Sequence, residues 1–68
     1  MKFEINISVD NAAFEGDALP DEVARILLRL SKELNTREAE LIPDRPIRLA
    51  DVNGNRVGYA LLSPEEPV

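Results

Sequence analysis

The 68-residue sequence contains no cysteine, no histidine and no tryptophan. Without cysteine no disulfide can form, and without cysteine or histidine the ordinary tetrahedral zinc site has no ligands. The same absences remove the most reactive nucleophile and the usual proton carrier of enzymes working near neutral pH. Lysine is nearly as scarce. Lys2 lies near one end and Lys32 within a helical pattern, so neither suits an amine nucleophile. Ser8, Ser31, Ser63 and Thr36 sit in no nucleophile motif, and the three glycines form no phosphate-cradling loop. Paired carboxylates remain, but acid–base work requires a cleft that raises the pKa of one of them. No stretch approaches the roughly 20 apolar residues that cross a bilayer. The opening MKFEINISVD lacks the apolar block of a signal peptide. The expectation is a cytoplasmic, non-catalytic protein with no cofactor, no metal and no membrane association.

What the chain does have is one strongly periodic segment, residues 20–35. Val23, Ile26, Leu27, Leu30 and Leu34 fall within about 100° of arc, a stripe wide enough to face a core. Pro20 suits a first turn, where its missing N–H is no loss. Asp21 and Glu22 follow it, where the helix end favours carboxylates. Asp21 with Arg25, and Arg29 with Glu33, are spaced for i,i+4 ion pairs. Asn35 can adopt the left-handed conformation that ends a helix. Leu28 alone falls off the stripe, between Arg25 and Lys32. It is either a covered flank residue or a partner contact.

Residues 2–9 alternate with period two, Phe3, Ile5, Ile7 and Val9 on one face and Lys2, Glu4, Asn6 and Ser8 on the other, which predicts a half-buried strand. Residues 10–19 form a loop with Phe14 at its middle, as a lid on the core or as an exposed anchor. Residues 36–46 are ambiguous until Pro43 and Pro46 force extended chain. In residues 47–62, Asn53-Gly54 is a strong hairpin signal. A two-residue turn would pair Leu49 with Gly58. A three-residue loop with Gly54 left-handed would pair Leu49 with Val57 and Ile47 with Tyr59. The second register gathers Ile47, Leu49, Val57, Tyr59 and Leu61 on one face and is preferred. It leaves Gly58, Ala60 and Leu62 on the open face as a small apolar strip available for contact. The fold class is therefore α+β, in the order β-α-β-β. Its sheet is three-stranded and antiparallel, ordered 2-3-1, with one helix on one face. Residues 1–62 form the single domain and 63–68 a flexible tail.

Thirteen acids against eight bases give a net charge of −5, which argues against direct nucleic-acid binding. Asp10, Glu15, Asp17, Asp21 and Glu22 follow one another with no base among them, so one end should be negative. Asp51, Asn53 and Asn55 are spaced like the first ligands of a calcium loop, but Arg56 and Leu62 occupy its glycine and glutamate positions. Hairpin-turn chemistry accounts for the pattern. The candidate contact residues are Asp10, Phe14, Glu15, Asp17, Asp21, Arg25, Leu28 and Lys32. A domain this small gains from self-association, so a homodimer or structural subunit is a second possibility. An acidic mimic of nucleic acid is a third.

Three stretches, VDNAAFE at residues 9–15, EVARIL at 22–27 and LADVNGNRVG at 49–58, resemble a group of short uncharacterised bacteriophage and prophage proteins. The resemblance brings no catalytic residues. It implies an accessory protein in the host cytoplasm, similar to anti-CRISPR-type inhibitors that act by binding a host protein.

Overall fold

The computed structural model describes residues 1–64. The chain runs through β1 (Lys2–Ile7), one 3-10 turn (Ala12–Phe14), α1 (Ala18–Asn35), β2 (Ile47–Ala50) and β3 (Arg56–Ser63). The strands make one antiparallel sheet in the order β1-β3-β2, the arrangement expected from the sequence. The buried residues Ile26 and Leu30 of α1 meet Leu49, Val57 and Ala60 of the sheet, with Phe14 closing one end. Val23 and Leu34 pack against this cluster half-buried, while Leu27 is 39% exposed at its flank.

α1 begins two residues before Pro20, which still stands within the first turn, where no intrahelical N–H bond is lost. The helix stops through Thr36, whose N–H and hydroxyl both donate to the Lys32 carbonyl at 2.9 and 3.0 Å. The left-handed residue is Arg37 (φ 65°), and Asn35 remains helical. β3 continues through Ser63, one residue past the expected domain boundary. The rest of the expected tail, residues 65–68, lies outside the described residues.

The hairpin corrects the preferred register. At the turn the three-residue loop does form. Asp51 N–H donates to Asn55 O at 2.9 Å, Gly54 N–H donates to Asp51 O at 3.0 Å, and Gly54 is left-handed at φ 83°. Ala50 accordingly faces Arg56. One residue further on, a bulge at Val57 shifts the pairing, so that Leu49 faces Gly58 and Ile47 faces Ala60. Each register thus holds over one part of the hairpin. Beyond the bulge the faces exchange: Ala60, 1% exposed, packs in the core, and Tyr59 and Leu61 lie on the open face. The expected strip of Gly58, Ala60 and Leu62 therefore points toward the helix. Gly58 shows why the ladder is irregular here. A Cβ on it would stand 1.8 Å from the Asn6 carbonyl oxygen, so β1 and β3 approach as only glycine permits.

Candidate functional site

Glu22 continues the helical spacing of Ile26 and Leu30 by one turn, so the fold draws it inward, and it is 7% exposed. Its carboxylate accepts from Arg25 Nε at 2.6 Å and Arg25 Nη2 at 3.2 Å, and from the Val52 N–H at 2.7 Å. Arg25 also donates to the Ala50 carbonyl at 3.2 Å. Beside them Asp51, 4% exposed, accepts from the N–H groups of Asn53 and Asn55 at 2.9 and 2.8 Å. It accepts too from the side-chain amides of Asn11 at 2.8 Å and Asn55 at 3.2 Å. One polar corner therefore joins the first loop, the start of α1 and the hairpin turn.

Both carboxyls sit below their ordinary range. For Glu22 the Arg25 hydrogen bond is the main cause, working against burial and helped by the Val52 N–H. For Asp51 burial pushes upward, and the donors on Asn55, Asn11 and Asn53 together outweigh it. The calcium-like spacing is thus turn chemistry, its first carboxylate bonded to N–H groups. Among the described residues no three acidic groups converge as metal ligands would.

The expected contact residues divide between surface and interior. Asp10, Glu15, Asp17 and Asp21 are exposed along the first loop and first helical turn, Asp10 accepting from the Ser8 hydroxyl at 3.2 Å. Among the described residues Leu28, at 73%, is the most exposed of the large apolar side chains, with Lys32 exposed one turn on. Two residues need correcting. Phe14 is 3% exposed and fills the core, so it is a lid and offers no anchor. Arg25 does not reach Asp21. It turns to Glu22, whose buried carboxylate takes two bonds from the guanidinium, a pairing that the water-exposed Asp21 does not match.

Asp51 and Glu22 were missed as a joint centre. Glu22's place on the apolar stripe was a usable signal, whereas its contact with residue 52 and that of Asn11 with Asp51 span 30 and 40 positions. Between α1 and β2 lies an open groove of about 450 Å³ lined by Arg25, Arg29, Glu33, Arg48 and Asp51. Its Arg29 pairs with Glu33 at 2.9 Å and its Arg25 with Glu22, so two of its three arginines are matched by carboxylates. Among the described residues no helix is long and apolar enough to cross a membrane.

Fold and corner together define a small β-α-β-β domain held by a buried polar lock. Comparison with protein-family models, with curated proteins and with solved structures finds no match.

Proposed function

We propose that the chain is a non-catalytic module that acts by stoichiometric contact with another protein. The phage-type resemblance makes that partner a host protein and the consequence inhibition. The observation that carries this reading is Leu28, 73% exposed on α1, on the same side of the helix as Asp21 and Lys32. An apolar residue ringed by charge is the usual composition of an interface anchor with its polar rim. The polar corner supports it as well. By tying the first loop to helix and hairpin, it fixes the exposed acids before any partner arrives, which lowers the ordering cost of binding.

The test is capture from host lysate by tagged protein. A partner retained in stoichiometric amount by wild type should be lost with Leu28→Glu, a change expected to alter stability by only about 0.5 kcal/mol. Replacing Asp10, Asp17 and Asp21 by lysine should weaken the same capture, more so at low salt. Retention indifferent to both variants, or no stoichiometric partner, contradicts the proposal.

A further inference from the structure

The two outer strands of this sheet are finished differently. On β2 and the turn after it, the groups facing away from β3 belong to residues 48 and 50 of the strand and to Val52 of the turn, because Asp51 N–H is bonded inward to Asn55. α1 caps the turn end of this edge with side chains, Arg25 taking the Ala50 carbonyl and Glu22 the Val52 N–H, while the outward groups of Arg48 take no bond from the described side chains. Pro46, just before β2, has no N–H to offer a further strand. β1 has no such cover. Ser8 N–H bonds inward to Val57 O at 2.8 Å, and ladder alternation then turns the N–H and C=O groups of Phe3, Ile5 and Ile7 outward. No hydrogen bond from the described residues reaches them. Phe3 and Ile5 are also 41% and 43% exposed, beside Leu27 at 39%. An open groove lined by Ile5, Leu27, Leu28 and Leu34 runs above the edge.

We infer that this edge pairs with β1 of a second copy, antiparallel about a two-fold axis through Ile5, giving one six-stranded sheet. The register follows from the outward groups. Only pairing Ile5 with Ile5 of the second copy engages all three outward residues, Phe3 then facing Ile7 of the second copy. That makes about six main-chain bonds, two for each pair. The side chains agree with it. Apolar faces apolar on the helix side, and on the other side Lys2 faces Ser8 and Glu4 faces Asn6, so no like charges lie opposite. Lys2 lies diagonal to Asp10 of the second copy, one basic and one acidic end meeting.

The area is modest. Seven residues span about 24 Å, and the molecule's smallest extent is 17 Å. Each copy contributes at most about 400 Å² in flat projection, so the two-sided total of about 800 Å² lies just under the roughly 1,000 Å² that a stable specific interface clears. That area predicts a weak dimer, with Kd on the order of micromolar or above.

Leu28 lines the groove above this edge and Asp10 lies at its end, but the pairing itself rests on main-chain groups of β1, so the Ile5 variants test it without altering Leu28 or the acidic loop. Sedimentation equilibrium from about 1 μM to about 1 mM, a range that brackets such a Kd, should show wild type passing from monomer to dimer. Ile5→Lys and Ile5→Glu, each checked for fold by circular dichroism, should each stay monomeric, since like charges then meet on the axis. Mixed in equal amounts, the two variants should dimerise again, and only a register that places residue 5 against residue 5 gives that rescue. Wild type monomeric throughout, Ile5→Lys still dimeric, or no association in the mixture each overturns the inference. So does an edge that pairs only with an added extended peptide.

Discussion

Asp51 is a surface residue by type that this fold buries, and its role follows from the donors around it. Asn11, Asn53 and Asn55 supply N–H groups to a carboxylate that must be charged to accept them all. Glu22 stands likewise between the Arg25 guanidinium and the Val52 N–H. Both pKa values are lowered on folding, so the stability they confer is present above the ordinary carboxylate pKa of about 4. It is lost as the pH falls below that value through the depressed native ones. Urea midpoints measured between pH 7 and pH 2 should hold level to about pH 5 and then fall. In Asp51→Asn the acid-linked fall should shrink, and the midpoint at neutral pH should lie well below that of Asp10→Asn. Gly58 is constrained by space. Gly58→Ala sets a methyl against the Asn6 carbonyl, and its cost, about 2 kcal/mol or more, should appear as a lower thermal midpoint.

Among the elements, α1 was legible because its signals are local: the apolar period, Pro20, and the i,i+4 spacing of Arg29 and Glu33. The hairpin turn was legible for the same reason, Gly54 being the left-handed residue that Asn-Gly announces. What lay beyond it was not. Alternation favoured Tyr59 and Leu61 inward, yet the bulge at Val57 turns Ala60 inward instead. Its companion is a contact between Gly58 and a strand 52 residues away in sequence, which no window of residues contains. Of the candidate contact residues, the exposure of Leu28 was legible from the helical wheel alone, whereas Phe14, a large apolar side chain in a loop, carries no mark of whether it points in or out. The strands yield an element-level prediction. In Glu22→Leu/Arg25→Met the Ala50 carbonyl and the Val52 N–H lose their side-chain partners, and amide exchange at Val52 should rise by more than about tenfold while β3 amides change less.

On the scale of the molecule, six buried apolar residues among those described form the core. A core this small supplies about 3–5 kcal/mol, and Ile26→Ala removes about 2–5 of it. That variant should be largely unfolded in dilute solution by circular dichroism. Association through β1 would add stability by mass action, so the thermal midpoint of wild type should rise with protein concentration, and that of Ile5→Lys should not.

One edge of the sheet capped at its turn end by side chains and the other left open along its length is the feature on which the rest depends, and per-residue amide exchange at two protein concentrations reads it directly. In dilute solution Val52 should be protected and Phe3, Ile5 and Ile7 should exchange fast, with Glu4 and Asn6 slow between them. At high concentration those three alone should slow. Fast exchange at Val52, or Phe3, Ile5 and Ile7 exchanging at the same rate at both concentrations, would contradict it.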